Sequence, residues 1–346
     1  MDRVGVLTGG GDCPGLNAVI RAIVRRCVQH KFEVVGVLEG WKGVIEQNVR
    51  SIDLREVSGI LPRGGTILKT SRTNPLKDEA SYKKTLEGFK DLGLRALIAI
   101  GGEDTLGVAN TLNDKHGLPI IGVPKTIDND LSGTDFTFGF DTAVQIATEA
   151  IDRLHTTAES HNRVMVVEVM GRHAGWIALY SGLAGGADYI LIPEKSVSLD
   201  DVSESLRSRH ERGKDFSIVV VSEGFQLTED DKQVVIVQTE ERDQFGHVRL
   251  GGIGQIVAQE VERRTGYEAR VTVLGHIQRG GTPTAHDRIL ATRYGIFAVD
   301  MVKAEQYGKM AALHGNDIVA VDLSEGVRHL KTVTDDLYDL AHVFFG

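Results

Sequence analysis

Residues 4–17 read VGVLTGGGDCPGLN: an apolar run passes through a glycine cluster into a helical pattern. Glycine permits a tight turn and lets backbone N–H groups approach a phosphate closely, and the amino end of the following helix favours negative charge. The loop matches neither the Walker pattern, because it lacks Gly-Lys-Ser/Thr, nor the spaced glycines of the dinucleotide fingerprint. Taken alone, the stretch leaves two interpretations open, a phosphate-binding loop and a simple tight turn.

The same order of apolar run, loop and helical pattern recurs along the chain. Several short runs are continuously apolar, which is typical of parallel strands that are buried on both faces. The predicted strands are residues 4–7, 34–38, 96–100, 120–123, 164–169, 218–221 and 271–274. Apolar residues at helical spacing predict helices over residues 16–30, 143–154 and 255–264. This alternation predicts an α/β protein with mainly parallel sheets.

Composition and charge limit the class of protein. With 346 residues, of which 41% are hydrophobic and 25% charged, the chain is typical of soluble globular proteins and is long enough for two domains. The formal net charge of −9 argues against nucleic acid as a partner. No apolar run approaches membrane-spanning length, so no membrane partner is expected. The two cysteines, Cys13 and Cys27, are too few for a disulfide framework or a full zinc site, and we expect a reduced, cytoplasmic setting.

Two acidic loops follow neighbouring apolar runs. Residues 101–105 read GGEDT, and residues 124–130 read PKTIDND. Because the carboxyl ends of parallel strands meet at one edge of a sheet, we expect these loops to lie close together. They carry four carboxylates and one ammonium group: Glu103, Asp104, Asp128, Asp130 and Lys125. Clustered carboxylates repel one another, so such a group indicates a metal or a phosphate chemistry that uses it.

The residue types in these loops match the needs of phosphoryl transfer. That reaction uses a metal to bridge phosphates, a base for the acceptor hydroxyl and cations for the developing charge. Glu103 and Asp130 are candidates for Mg²⁺, which takes one or two carboxylates and keeps several waters. Asp128 is the candidate base. The alternative is that the acidic residues only cap the helices that follow, although two such loops beside a glycine-rich third favour the catalytic interpretation.

Cations stand at the ends or beginnings of other predicted strands, close to glycines. The surrounding segments are residues 170–176 (MGRHAGW), 222–224 (SEG) and 275–281 (GHIQRGG). The cations are Arg163, Arg172, Arg270, His276 and Arg279. Arginine forks bind phosphate oxygens well. Any one of these residues is more often an ordinary surface cation, but their shared position favours a binding site for an anionic acceptor.

These residues resemble the phosphofructokinase family. The resemblance runs from residue 4 to about residue 300 and rests on four motifs: GGGDCPGLN (9–17), PKTIDND (124–130), VEVMGR (167–172) and VLGHIQRGG (273–281). The family implies phosphorylation of the C1 hydroxyl of fructose 6-phosphate in glycolysis, with Mg²⁺ as cofactor. It also implies a homo-oligomer, a dimer or a tetramer, whose active sites are shared between subunits.

The resemblance further implies roles for individual residues, with Asp128 as the base that takes the proton of the sugar hydroxyl. The implied catalytic residues are Asp128, Asp104, Lys125 and Arg172. The implied substrate-binding residues are Thr126, Ile127, Asp128, Arg163, Met170, Gly171, Arg172, Glu223, Arg270, His276, Ile277, Gln278 and Arg279. The implied donor-binding residues are Gly11, Arg72, Asp104, Thr105 and Lys125. Glu103 is the implied metal ligand, and Arg163 and Arg270 are expected to reach in from a neighbouring subunit.

The resemblance, together with the strand pattern, predicts two Rossmann-like three-layer α/β/α domains with the active site in the cleft between them. The predicted donor domain comprises residues 1–139 and 252–310, and the predicted fructose 6-phosphate domain comprises residues 140–251 and 311–346. The polar stretch 226–246 is expected to be an exposed excursion that forms a hairpin. Residues 317–346 are expected to form a strand and a terminal helix.

Two departures from the family pattern concern the phosphate donor. ATP users carry Gly where this chain has Asp104, many carry Gly where it has Lys125, and the combination found here resembles pyrophosphate-dependent members. ATP would bring its α-phosphate against Asp104, and two like charges about 4 Å apart cost roughly 4 kcal/mol at an effective dielectric near 20. Such a cost weakens binding by about a thousandfold. We therefore expect Asp104 to occupy the place of that phosphate without binding a partner, and Lys125 to supply charge to the transferring group.

Other functions stay open at the level of sequence. An ATP-dependent phosphofructokinase would have to tolerate Asp104, and Lys125 alone does not exclude it because some ATP users carry lysine there. A non-catalytic sugar-phosphate sensor would have no need of Asp128. A nicotinamide-dependent dehydrogenase is disfavoured because the glycine spacing of residues 9–15 is wrong for a dinucleotide.

Overall fold

The structure is a computed structural model that describes residues 2–229, 232–235, 237–239 and 243–345. In chain order its strands are β1 (Arg3–Thr8), β2 (Glu33–Val37), β3 (Val49–Ser51), β4 (Ala96–Gly101), β5 (Ile120–Thr126), β6 (Phe138–Gly139), β7 (Val164–Val169), β8 (Tyr189–Leu191), β9 (Ser217–Ser222), β10 (Gln226–Glu229), β11 (Lys232–Val235), β12 (Val237–Thr239), β13 (Arg249–Leu250), β14 (Ala269–Val273), β15 (Lys309–His314) and β16 (Asp317–Asp322). Its α-helices are α1 (Leu16–Gln29), α2 (Trp41–Ile45), α3 (Glu79–Asp91), α4 (Glu103–His116), α5 (Phe140–His161), α6 (Trp176–Ala184), α7 (Leu199–Glu211), α8 (Ile253–Thr265), α9 (Ala285–Lys303), α10 (Leu323–Arg328) and α11 (Asp335–His342). A 3₁₀ helix covers Gly275–Arg279.

The first sheet has eight strands in the order β16-β15-β5-β4-β1-β2-β3, with β6 added beside β5. Its central strands β2, β1, β4, β5 and β15 run parallel, and its edges β3 and β16 are antiparallel. In β4 every residue is buried, and successive side chains enter opposite cores: Ile98 joins the core with α1 and α9, whereas Leu97 joins the core with α3 and α4. Helices therefore cover both faces, which explains the continuous apolar run.

The second sheet has four parallel strands in the order β14-β7-β9-β8. One face packs on α7 and α8 through residues such as Val166 and Val219, and the other packs on α5 and α6 through Val167 and Val220. The core beneath α5 and α6 is continuous with the core beneath α1 and α9 of the first sheet. The predicted fold of two three-layer α/β/α units with mainly parallel sheets is confirmed.

The predicted division of the chain does not follow the two sheets. Strand β14 falls in residues 252–310, which the sequence assigns to the first unit, yet it pairs with β7 in the second sheet. Strands β15 and β16 reach into residues 311–346, which the sequence assigns to the second unit, yet β15 pairs with β5 in the first sheet. An apolar run predicts burial of a strand but does not identify its neighbour, and for this reason the sequence alone could not show which sheet these strands join. Where one domain ends and the other begins stays a prediction.

The predicted strands and helices are all present, with boundaries shifted by a few residues. Strands β10 (residues 226–229) and β11 (residues 232–235) pair antiparallel, in agreement with the predicted hairpin, while the turn between them lies outside the described residues. The carboxy-terminal stretch forms β16, α10 and α11, one helix more than predicted. Among the helices of the described residues, none combines the length and the apolar character needed to cross a membrane.

Candidate active site

A cavity of about 740 Å³ lies where the carboxyl ends of β1, β4 and β5 face those of β7, β9 and β14. Ligands of open α/β sheets bind at this edge because the loops that leave the strands converge there. Fourteen residues implied by the family resemblance line the cavity: Gly11, Arg72, Glu103, Asp104, Thr105, Lys125, Thr126, Ile127, Asp128, Met170, Arg172, Glu223, His276 and Arg279. The structure thus brings both acidic loops and most of the expected acceptor residues to one site.

The glycine-rich loop after β1 is shaped by side chains that press against it. A β-carbon at Gly11 would come within 2.0 Å of the Arg279 guanidinium, so no larger residue fits while Arg279 keeps this position. The Lys125 ammonium donates a hydrogen bond to the carbonyl oxygen of Gly11. The loop therefore contacts two cations that line the cavity, which is the environment expected of a phosphate-binding loop.

Lys125 is the cation at the centre of the site. The residue is 3% exposed, and burial lowers the pKa of its ammonium group below its ordinary value. The neighbouring carboxylates Asp12 and Asp128 oppose this shift by favouring the charged form. Because little water screens this ammonium group, it attracts any phosphate that enters the cavity strongly.

Two carboxyl groups that follow β5, those of Asp128 and Asp130, have raised pKa values. Burial raises the pKa of Asp128, while the positive charges of Arg279, Arg172 and Lys125 act in the opposite direction. Its Oδ1 atom is buried and has no hydrogen-bond partner in the described part of the chain. Burial, followed by the charge of Asp128, raises the pKa of Asp130 to about 7. A carboxylate with a raised pKa and a free oxygen is suited to accept a proton from a substrate hydroxyl.

Glu103 and Asp104 begin helix α4, where the helix dipole favours negative charge. Neither side chain caps the helix, and no helix directly follows residues 128–130, so helix capping does not explain the acidic loops. Burial, followed by the charge of Asp104, raises the pKa of Glu103. Glu103 is thus an exposed carboxylate at the mouth of the same cavity.

A segment from the far side of the cleft covers the Asp104 end of the cavity. His247 approaches Asp104 with 3.1 Å between Nε2 and Oδ2, and Arg72 pairs with Asp243 with 2.9 Å between Nη1 and Oδ2. The hydrogen bond to Asp104 raises the pKa of His247 above its ordinary value. The expectation that Asp104 binds no partner is therefore wrong. Sequence alone could not show this contact because Asp104 and His247 are separated by 143 residues.

The acceptor side of the cavity is formed by the loops after β7 and β9. Arg172 lines the cavity and donates from Nη1 to the carbonyl oxygen of Val248 at 2.8 Å. Glu223 faces the same space, and burial, followed by the charge of Asp128, raises its pKa to about 7. Two basic residues, His276 and Arg279, reach the cavity from the 3₁₀ helix after β14.

Three implied substrate-binding residues lie beside the cavity without lining it. Gly171 accepts a hydrogen bond from Ser222 Oγ at 2.7 Å through its carbonyl oxygen, and Ile277 is 60% exposed. Gln278 is fully buried, and its Oε1 accepts a hydrogen bond from the Met170 amide at 3.3 Å. Gln278 therefore connects the loops after β7 and β14.

Arg163 and Arg270 lie at the amino ends of their strands, away from the cavity of their own chain. Arg163 precedes β7, and Arg270 pairs with Met165 in the parallel register of β14 and β7. Both guanidinium groups contact the Glu268 carboxylate, Arg163 at 2.9 Å between Nη2 and Oε1. Any role of these arginines in catalysis therefore needs the cavity of another chain.

Several residues that line the cavity were not predicted from the sequence. Among them are Asp12, His173, Asp243, Phe245, His247, Leu250 and Gly251. The polar character of stretch 226–246 predicts an exposed excursion. After the hairpin, however, Phe245 packs against an apolar core of the first sheet, which returns the following residues to the cleft. Polarity signals exposure to water but does not distinguish a surface from a polar cavity.

Glu223 provides a test of how strongly this cavity is desolvated. Its pKa is raised from 4.5 to about 7, so its contribution to stability is fully present below about pH 4.5 and is lost as the pH rises through about 7. Glu223→Gln should therefore raise the melting temperature of the substrate-free protein at about pH 8, and this gain should shrink toward about pH 5. Calorimetry across this range measures the difference. Glu211→Gln, which changes an exposed residue of α7, is the control and should show no trend; equal gains of Glu223→Gln at both ends of the range would contradict the prediction.

Comparisons with known proteins identify the family of this chain. The family model described as Phosphofructokinase matches residues 3–302. A pyrophosphate–fructose 6-phosphate 1-phosphotransferase of Streptomyces coelicolor is 59% identical over 345 residues, which cover 99% of this chain and 100% of that protein. ATP-dependent 6-phosphofructokinase 3 of the same organism is 52% identical over 97% of this chain and 98% of its own. The crystal structure of Pichia pastoris phosphofructokinase in the T-state aligns with a TM-score of 0.83 and 34% identity, over 99% of this chain and 38% of that one. This chain belongs to the phosphofructokinase family.

Proposed function

We propose that this protein transfers a phosphoryl group from pyrophosphate to the C1 hydroxyl of fructose 6-phosphate. The products are fructose 1,6-bisphosphate and phosphate, and the reaction is reversible and belongs to glycolysis. The observation that supports pyrophosphate as donor is the Asp104 carboxylate, which faces the donor end of the cavity and is paired with His247. The two free, buried cysteines fit a cytoplasmic enzyme.

Asp128 is the general base in this proposal. Its buried, unpartnered Oδ1 can accept the proton of the C1 hydroxyl as that oxygen attacks the transferring phosphorus. The raised pKa makes the carboxylate a better proton acceptor than an exposed aspartate. The cations around it, Arg172, Lys125 and Arg279, balance the negative charge that the phosphates bring into the cavity.

The sugar phosphate occupies the acceptor side. His276 and Arg279 hold its 6-phosphate, while Thr126, Met170, Arg172 and Glu223 surround the sugar. The raised pKa of Glu223 allows its carboxyl group either to donate or to accept a hydrogen bond near neutral pH. In a homo-oligomer, Arg163 and Arg270 would enter the cavity of a neighbouring subunit, which fits their position at the amino ends of β7 and β14, away from the cavity of their own chain.

The donor occupies the glycine-rich side. Gly11 and Thr105 line this part of the cavity, and Lys125 and Arg72 are its cations. A nucleoside triphosphate would place an additional phosphate toward Asp104, whose charge repels it. Because the Asp104 side chain is 36% exposed, water screens part of this repulsion. His247 and Phe245 also line the cavity, and His247 contacts Asp104.

Mg²⁺ is the cofactor that the family implies. Among the described residues no group of three or more metal-ligating side chains is preassembled. This fits Mg²⁺, which commonly takes one or two carboxylates and completes its shell with water and substrate phosphates. Glu103 would hold the ion, with Asp130 as a neighbouring carboxylate in the same cavity. When bound at Glu103, Mg²⁺ would supply positive charge that neutralises the negative charge developing on the phosphates during transfer.

ATP as donor is the second candidate. Relatives named for each donor match this chain over nearly its whole length, at 59% and 52% identity. The direct test is turnover of fructose 6-phosphate with Mg²⁺ and either pyrophosphate or ATP, followed as fructose 1,6-bisphosphate formed. We expect kcat/KM to favour pyrophosphate by at least about a hundredfold, somewhat less than the thousandfold that an unscreened charge repulsion predicts. A higher kcat/KM with ATP would overturn the donor assignment.

Asp104→Gly should reduce this preference. Loss of the carboxylate removes the repulsion of a third phosphate and also frees His247 from its partner. We expect kcat/KM with ATP to rise by about tenfold or more and kcat/KM with pyrophosphate to fall. The matched control is Asp114→Gly, which places the same residue at an exposed position of helix α4 without touching the cavity. If ATP binds Asp104→Gly and the parent protein equally well, Asp104 does not select the donor.

Asp128→Asn tests the base. The amide keeps the size of the side chain but cannot accept the hydroxyl proton, so kcat should fall by about 10²- to 10⁴-fold. Binding of fructose 6-phosphate, measured by calorimetric titration, should stay within about threefold, because a general base contributes to the chemical step rather than to binding. Unchanged kcat in this variant would refute the role of Asp128, whatever the donor.

A further inference from the structure

The carboxy-terminal segment between α10 and α11 lies directly against the loop that carries Asp128 and Asp130. Leu330 forms an antiparallel β-bridge with Leu131, and the Lys331 amide donates to the Asp130 carbonyl oxygen at 2.8 Å. The Ser132 hydroxyl donates to the carbonyl oxygen of His329. Residues 329–331 thus pair with residues 130–132 as a short piece of β-structure. Neither the family motifs nor the proposed chemistry uses this segment.

The Lys331 side chain continues this contact behind the loop. Its ammonium group donates to three oxygens: Asn129 Oδ1 at 3.0 Å, the Thr134 carbonyl at 2.9 Å and the Asp135 carbonyl at 2.8 Å. These three bonds use every proton of the ammonium group. A surface lysine rarely donates three hydrogen bonds to protein oxygens. The three bonds therefore indicate that this ammonium group stabilises the conformation of the loop.

Asn129 is the point at which the ammonium group acts on the catalytic loop. The residue is 1% exposed and has a φ of 51°, in the left-handed region that non-glycine residues seldom adopt. Its Oδ1 accepts from both Lys331 and the Thr137 amide, the latter at 3.1 Å. With this side chain fixed behind the loop, its neighbours Asp128 and Asp130 line the cavity.

The same segment also contacts the acceptor side of the cleft. The Trp176 indole Nε1 donates to the Lys331 carbonyl oxygen at 2.8 Å, and the Lys331 ammonium lies 5.7 Å from the centre of the Trp176 ring. Two residues further, the Val333 amide donates to Glu194 Oε1, which also accepts from the Gly175 amide. Trp176 and Gly175 end the loop that carries Arg172 and His173. Lys331 therefore joins the loops on the two sides of the cavity.

We propose that Lys331 is a positioning residue, which holds Asn129 so that Asp128 and Asp130 face the reacting groups and which ties this loop to the acceptor loop. This inference rests on the proposed phosphoryl transfer for its catalytic consequence, whereas its structural consequence is independent of any activity. Lys331 itself contacts neither substrate, because its ammonium group donates all three protons to Asn129 Oδ1 and to the carbonyl oxygens of Thr134 and Asp135. The remote segment thereby contributes to the rate of the chemical step.

Lys331→Met removes the ammonium group and keeps most of the side-chain volume. Because a displacement of about 1 Å at a catalytic group can cost about a hundredfold in rate, we expect kcat to fall by about a hundredfold. The KM for fructose 6-phosphate should change by less than about threefold, since its phosphate-binding residues are elsewhere. Assays at about pH 7 keep the parent ammonium charged, because its pKa is lowered only to about 8. Lys331→Arg, which retains the charge and several donors, should restore part of kcat.

The matched control is Lys195→Met. Lys195 also contacts the carboxy-terminal region, with 2.7 Å from its Nζ to Asp335 Oδ1. Its Nζ lies over the Tyr338 ring, 5.2 Å from the ring centre. It does not touch residues 128–130, so kcat should stay within about twofold of the parent value. An equal loss of kcat in both lysine variants would show general destabilisation and overturn the proposal. So would an unchanged kcat in Lys331→Met at a temperature well below its melting point.

Hydrogen exchange provides a readout that does not depend on activity. In the substrate-free protein, Lys331→Met should increase exchange of the amides in residues 128–137, while the peptides of β4 keep their protection. If the parent enzyme shows no turnover with either donor, the proposed function fails, yet this exchange result still tests the contact. If the parent is active and the loop exchanges identically in both proteins, the positioning role of Lys331 is refuted.

Discussion

Parallel pairing of β4 with β1 and β5 is the constraint on which the site depends. The register sets Thr8 beside Ile100 and Gly101 beside Pro124, so three strands end at the same level and release their loops toward one space. Each strand is buried on both faces, and a slip of one residue would exchange the two cores that its side chains enter. The positions of the glycine-rich loop and both acidic loops are therefore fixed by hydrophobic packing some distance away.

The charged groups at this edge of the first sheet are buried at a cost in free energy that the rest of the fold must offset. Burial disfavours the charged forms of Lys125, Asp128 and Asp130, as the directions of their pKa shifts indicate. Their opposite charges offset part of this cost, and the arginines Arg172 and Arg279 from the second sheet offset more. Packing of the two units through one continuous core keeps these groups facing each other. The result is a site in which buried groups of both signs lie close together with little water to screen their charges.

Two remote segments act on this cluster from outside the motifs. Residues 243–248 come from the far side of the cleft and place His247 against Asp104. Residues 329–333 come from the carboxy terminus and place Lys331 against Asn129. Both contacts connect parts of the chain that share no local pattern, and each acts on a different carboxylate loop. In the function proposed above, donor choice and alignment of the base therefore depend on separate parts of the structure.

The sequence, together with its family resemblance, predicted the fold class and about half of the residues that line the cavity. Continuous apolar runs predict buried parallel strands, and the sequence motifs place Glu103, Asp104, Lys125 and Asp128 at one sheet edge, because strand ends and loops are local features. Tertiary structure alone decided which sheet β14 and β15 join, that polar residues near 245 return to the cleft, and that Asp104 has a partner. These outcomes depend on contacts between residues far apart in the chain, whose free energy comes from pairing and burial, and a local pattern carries no information on them.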